Sequence, residues 1–191
     1  MVINKNKHQR QSIRLRGYDY SRTKSYFVTV CTKDKECLLG EIVDGKMRSN
    51  EIHKMVQSVW NELPLNYPGV KIDAFVIMPN HVHGIIILDV GAPPRGCPKK
   101  GKGQAQGPAP TLSLPDVVHR LKSLTTAKYR QKVTEGVWQP FKGRFWHRNY
   151  YERVIRRHEL TQIRQYIRTN PKNWETDTEN PHNMEIIPCK P

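Results

Sequence analysis

Residues 75–88, Phe-Val-Ile-Met-Pro-Asn-His-Val-His-Gly-Ile-Ile-Ile-Leu, set the tightest limits on how this chain can fold. Apolar runs flank a Met-Pro-Asn break and two histidines one residue apart. Side chains in a strand alternate between faces, so residues i and i+2 share one. A strand over 82–88 that His81 enters therefore projects His81 and His83 together. Apolar residues at both parities mark this strand as central and buried on both faces. Two imidazoles so placed suit one metal ion, with coordination positions left for an oxygen ligand or a substrate. They equally suit a plain structural role, as polar residues at a strand mouth satisfied by hydrogen bonds.

The surrounding sequence supplies partners for such a strand. Tyr26-Phe-Val-Thr-Val-Cys-Thr32 is rich in β-branched and aromatic residues and reads as the first strand. Residues 37–43 and 46–48 flank Asp44-Gly45 and read as a hairpin. Asn50 is a candidate N-cap for a helix from 51 to about 63. Its apolar residues Ile52, Met55, Val56, Val59, Trp60 and Leu63 follow a helical period, and Pro64 and Pro68 are expected to end it. Residues 70–78 read as a strand turning at Pro79-Asn80 into its antiparallel neighbour. Ser113, with Pro115 in the first turn, opens a helix that runs to about 133. A strand is expected near 149–155 and a last helix over 159–169, closed by Asn170-Pro171. The order β, β-hairpin, α, β, β, α, β, α fits an α+β, ferredoxin-like sandwich. It has an antiparallel sheet, helices on one face and a C-terminal helix carrying a tyrosine. Residues 1–24 form a basic arm, 25–174 one domain interrupted by a Gly/Pro-rich loop at 91–110, and 175–191 a polar, loosely held tail.

Charge narrows the partner. The chain of 191 residues carries a formal net charge of +15, which suits a polyanion, with nucleic acid the first candidate. No apolar stretch is long enough to span a membrane and the start does not resemble a signal peptide, so no membrane partner is expected. Cys31, Cys37, Cys97 and Cys189 form no Cys-x-x-Cys pair and no zinc-finger spacing, which fits free thiols in a reducing cytosol.

The last helix supplies chemistry. Leu160, Ile163 and Ile167 form one apolar stripe at 100° per residue, and Tyr166 and Asn170, four apart, share the face beside it. A hydroxyl and an amide are thereby brought to the edge where helix meets sheet. Asn170 precedes proline, which disfavours helical backbone there. A phenol with a pKa of ~10 is a poor nucleophile at neutral pH. A divalent ion held by His81 and His83 would orient and polarise a scissile phosphate, and Tyr166 could attack in line to give a phosphotyrosine and a free 3′-hydroxyl. The plainer reading of Tyr166 is a ring packed on the core. Tyr150 and Tyr151 are rival nucleophiles, but neighbours in a strand face opposite ways, so at most one approaches the site. Arg14, Arg16, Arg148, Arg153, Arg156 and Arg157 are candidate contacts to a DNA backbone, Arg148 foremost because it lies between aromatic residues.

Five segments in order, 12–21, 26–32, 75–87, 146–156 and 166–174, resemble the REP-associated tyrosine transposases, a branch of the single-tyrosine HUH transposases. The resemblance implies a ferredoxin-like fold with the histidine pair on a central strand. It implies that His81 and His83 bind Mg2+ or Mn2+, and imidazole ligands lean toward manganese. It implies that Tyr166 is the nucleophile, and that Asn170 stands where related transposases use a glutamine, one methylene longer, to complete the metal shell. The implied substrate is a single-stranded bacterial repetitive extragenic palindrome folded as a hairpin with a short guide sequence at its foot. A cytoplasmic, nucleoid-associated protein follows, acting as a monomer or as a homodimer that exchanges the tyrosine helix. The competing function is a non-catalytic, domesticated hairpin-binding protein. An RNA-binding module on the same broad fold is weaker, since the aromatic RNP pattern is not evident.

Overall fold

The structure, a computed structural model, describes residues 24–89 and 112–186. Arg14, Arg16, Cys97, Cys189 and the loop expected at 91–110 lie outside the described residues. Four strands form one antiparallel sheet in the order β4-β5-β1-β6: β1 is Lys24–Cys31, β4 Val70–Ile77, β5 His81–Leu88 and β6 Tyr151–Val154. A separate hairpin pairs β2 (Gly40–Val43) with β3 (Lys46–Ser49) around Asp44 and Gly45, both at positive φ. The helices are α1 (Glu51–Asn66), α2 (Leu114–Thr134) and α3 (Leu160–Thr169).

The β5 strand is central and lies between β4 and β1. Its alternation divides the molecule into two layers. Val82, Ile86 and Leu88 face the main core, where Val56, Val59, Trp60 and Leu63 of α1 meet Leu114, Val117, Val118 and Leu121 of α2. Ile85, with Ile87 beside it, faces the opposite side and packs under α3, against Leu160, Ile163 and Ile167. Thus α1 and α2 cover one face of the sheet and the tyrosine helix takes the other. Gly84, between the two histidines and the apolar run, faces α1. A Cβ there would lie 2.3 Å from the Trp60 ring, so only glycine lets that indole reach the sheet.

A register shift in β4 between Ile72 and Phe75 breaks the two-residue alternation. Ile72 and Phe75 both pack on the α1 side, while Ala74 and Val76 pack under α3. At the bulge, the Asp73 carboxylate accepts a forked pair of bonds from Arg164 of α3: Nε lies 3.1 Å from both oxygens and Nη2 2.6 Å from Oδ2. The guanidinium holds the Asp73 carboxyl below its usual range. This clamp and the Leu160–Ile163–Ile167 stripe seat α3 over β4 and β5 and leave the β1–β6 side of the same face open.

Three expectations need correction. Pro64 does not end α1, which continues to Asn66. A proline near the last turn forfeits one bond to the carbonyl four residues back, and the buried Val56–Leu63 face already holds the helix. Asn170 is helical despite preceding proline (φ −54°, ψ −41°), and the chain continues from it into a 3-10 segment, Asn170–Thr176. The residues just after 174 are firmly tied. Asp177 and Asn180 are buried, Asn180 Nδ2 donates to the Trp174 carbonyl at 2.9 Å, and Asn80 Nδ2 donates to the Glu179 carbonyl at 2.7 Å.

Candidate active site

Asn80, closing the β4–β5 turn, orients His81. Its amide nitrogen donates to two carbonyls, Lys35 at 3.1 Å and Glu179 at 2.7 Å, so its orientation is determined. Its Oδ1 lies 2.8 Å from His81 Nδ1 and can only accept, so His81 carries its proton on Nδ1. The His81 Nε2 lone pair then points into the site, buried and without a hydrogen-bond partner. Across the ladder, β1 pairs Thr29 with His83 and Cys31 with His81. The Thr29 hydroxyl lies 2.8 Å from His83 Nδ1, which leaves His83 Nε2 toward the same space. The two imidazole rings lie 4.3 Å apart by centroid. Both are neutral at pH 7: burial pushes His81 well below its ordinary value, aided by Lys35 and by the charge His83 would carry if protonated, and burial pulls His83 down to about 4.

The third donor comes from beyond Trp174. Ligand atoms of His81, His83 and Asp177 all lie within 4.8 Å of one another. Both Asp177 oxygens are oriented: Oδ1 accepts from the Glu179 N–H at 2.7 Å and Oδ2 from Asn170 Nδ2 at 2.9 Å. Asn170 is therefore at the site, with its amide nitrogen bound to Asp177 and its Oδ1 buried and unpartnered. Two imidazole nitrogens, a carboxylate and an amide oxygen form a mixed set that fits a divalent ion tolerant of both nitrogen and oxygen, manganese better than magnesium. Two orphaned buried acceptors, His81 Nε2 and Asn170 Oδ1, would both be satisfied by such an ion.

Tyr166 stands over this cluster. Its hydroxyl lies 3.3 Å from His83 Nε2, and Phe27 supports it edge-on at 6.0 Å between centroids. The residue is 46% exposed, so the phenol reaches both site and solvent. Burial of the hydroxyl, then the Asp177 and Glu179 carboxylates, push it above the usual phenol range.

Of the remaining expected residues, Tyr151 lies on the site face, opposite Thr29, with its ring 6.4 Å from Phe27. Tyr150 turns away, its hydroxyl donating to Glu152 at 2.8 Å and its ring under Lys122. Arg153 shares the Tyr151 face and pairs with Glu159. Arg148, Arg156 and Arg157 are exposed and take no part in the hydrogen bonds that hold His81 and His83. Asp177, Asn80 and Thr29 are the site residues that reading the sequence missed. Asn80 sits next to His81, and Thr29 lies in a strand whose register the sequence does not give. Asp177 lies in a polar segment with no periodic signal.

The α+β sandwich thus presents an accessible phenol beside a buried cluster of two histidines and a carboxylate that could hold a metal ion. Residues 107–170, which include Tyr166 and Asn170, match the family described as "Transposase IS200 like". A protein of Haemophilus influenzae described as uncharacterised is 38% identical over 183 residues, covering 89% of this chain and 92% of that protein. The structure of a REP-associated tyrosine transposase bound to a REP hairpin aligns at TM-score 0.53 and 17% identity, over 84% of this chain and 72% of that one. A putative transposase from Deinococcus radiodurans aligns at TM-score 0.45 and 20% identity, over 82% of this chain and 96% of that one. Over residues 107–170 the chain is similar to the IS200-like transposases, and its fold is like that of a solved REP-associated tyrosine transposase.

Proposed function

We propose that this chain is a DNA transposase that binds single-stranded REP-type hairpins and cleaves and rejoins the strand through a 5′-phosphotyrosine on Tyr166. The observation that carries this reading is the 3.3 Å approach of the Tyr166 hydroxyl to His83 Nε2, beside His81 and Asp177. His81, His83 and Asp177 would hold the ion, Mg2+ or Mn2+, with Asn170 Oδ1 as a further donor. A bound divalent ion would draw charge from the non-bridging phosphate oxygens and offset the charge that develops in the transition state.

The chain's own residues do the rest. Asn80 and Thr29 hold both imidazoles by Nδ1 and so turn each Nε2 into the site, where His81 Nε2 is unpartnered and His83 Nε2 meets the Tyr166 hydroxyl. The raised Tyr166 phenol keeps its proton at neutral pH, and its exposed edge lets that proton leave to water as the oxygen attacks. One P–O bond forms to Tyr166 as the bond to the 3′ oxygen breaks, and the departing oxygen takes up a proton. The new phosphodiester stays activated, so a second 3′-hydroxyl reverses the step without ATP.

The hairpin substrate is supported by the fold's likeness to a transposase solved on a REP hairpin and by the net charge of +15. Arg14 and Arg16 in a basic arm at 1–24, with Arg148, Arg153, Arg156 and Arg157, are the proposed backbone contacts. The domain at 25–174 is joined functionally by Asp177 from the segment after it. A cytoplasmic, nucleoid-associated protein is the matching location, and no helix among the described residues is long and apolar enough to cross a membrane.

The test is incubation with a REP-type hairpin oligonucleotide and Mn2+, followed by denaturing electrophoresis. Wild type should form a covalent adduct that Tyr166→Phe does not. Hairpin binding without any adduct would leave only the domesticated binding protein.

A further inference from the structure

The open β1–β6 side of the sheet holds two concavities that share one wall, the larger reaching round the strand edge to Tyr150 and Glu152. The smaller, about 340 Å³, is lined by Phe27, Arg153, Gln162, Ile163 and Tyr166, with Tyr151 at its boundary. The larger, about 570 Å³, lies on the other side of Tyr151, among Thr29, Cys31, His147, Tyr150 and Glu179. Their sequence along β1 follows from register. Phe27 faces Arg153, Thr29 faces Tyr151, and Cys31 lies two residues further on, beside His81. A strand rises about 3.3 Å per residue, so Phe27 to Cys31 spans about 13 Å of sheet. The histidine pair runs alongside this path, and Tyr151, 57% exposed, stands at its midpoint.

The chemistry orients a DNA strand on that path, and this orientation rests on the proposed phosphotyrosine reaction. The phosphate that joins Tyr166 stays with the 3′ portion of the DNA through an oxygen equatorial to the line of attack, which assigns that portion to neither side. In-line displacement sends the departing 3′ oxygen to the side away from the phenol. Of the two concavities, the larger is the one that Tyr166 does not line, and it is the one that can receive the nucleotide 5′ of the cut. Asp34, Glu152 and Glu179 outnumber Lys35, which pairs with Glu179 at 3.0 Å, in the lining of that concavity, so its net negative charge disfavours a phosphate there, whereas carboxylates accept hydrogen bonds from the exocyclic amines of bases. Its wall is held in advance. Lys122 Nζ donates to the carbonyls of His147 at 3.0 Å, Arg148 at 3.4 Å and Asn149 at 3.0 Å, and lies 5.5 Å from the Tyr150 ring centroid.

We propose that the concavity between Cys31, His147 and Tyr151 seats the base of the nucleotide immediately 5′ of the cut, stacked on Tyr151. This gives an exposed aromatic residue on an edge strand a binding role, and rules it out as the nucleophile.

The experiment is fluorescence titration of a hairpin oligonucleotide whose single-stranded flank carries 2-aminopurine at one position at a time, with chelator present so that the strand stays intact. Wild type and Tyr151→Phe should quench one flank position, and Tyr151→Ala should bind without quenching it. Stacking on an aromatic residue accounts for roughly 5- to 100-fold in affinity, so Tyr151→Ala should lose that much for the intact flank. It should lose nothing further when the quenched base is replaced by an abasic site. Adduct mapping with Mn2+ should place the quenched base directly 5′ of the cut. If no flank position depends on Tyr151, or the dependent base lies 3′ of the cut, the seat assigned here is wrong even where the adduct forms. Tyr151-dependent quenching in a protein that forms no adduct would retain the base seat and remove the cleavage reaction.

Discussion

Asn80 decides which nitrogen of His81 carries a proton, and Asn170 decides where the Asp177 carboxylate points. Neither role needs contact with DNA. Residues that orient ligands typically account for about 10- to 100-fold in metal affinity. Asn80→Ala and Asn170→Ala should each weaken Mn2+ binding by about that factor in calorimetric titration. Wild-type affinity in both would show that neither asparagine positions the ligands. Acidity offers a second check. Burial lowers the pKa of both histidines, His83 to about 4, so the unfolded chain binds more protons than the folded one between that value and the ordinary 6.5. Their contribution to stability is complete above pH 6.5 and is lost as the pH falls toward about 4. The urea midpoint of metal-free protein should fall across that window, and more steeply than in His81→Gln with His83→Gln. Equal slopes would place the acid sensitivity elsewhere.

At the scale of the element, β5 ties core packing to site geometry. Gly84 admits Trp60 on one face while His83 serves the other. Gly84→Ala would set a methyl 2.3 Å from the indole, and overpacking of this kind costs about 1–3 kcal/mol. Thermal unfolding should report that loss, and an unchanged midpoint would mean the indole shifts freely. The Arg164–Asp73 fork holds α3 at the bulge. Arg164→Ala should loosen α3, and hydrogen exchange should show faster opening there first. The elements themselves were legible in the sequence, because hydrophobic periods of 2 and 3.6 report burial directly. The β4 bulge was not, since one extra residue leaves the composition of the strand unchanged. Pro64 misled for a related reason: local propensity ends a helix there, whereas the packed face of α1 carries it one turn further.

At the scale of the whole molecule, the site is assembled from positions far apart in the chain. His81 and His83 were legible as a pair because both lie on one strand, and Tyr166 and Asn170 because both lie on one helix. Asp177 was not, because only tertiary packing brings the turn after Trp174 under the histidines. The expected tail is therefore part of the site through Asp177. The net charge of +15 belongs to this scale too. Hairpin affinity should fall linearly with salt on logarithmic axes, and Arg14→Ala with Arg16→Ala should reduce the slope by about one for each phosphate that these arginines neutralise. An unchanged slope would remove the arm from the DNA interface. The central claim is that the Tyr166 oxygen becomes bonded to phosphorus. Mass spectrometry of peptides from the protein–DNA adduct tests this directly. The nucleotide mass should ride on the peptide containing Tyr166, and its appearance on Tyr150 or Tyr151 would contradict the account.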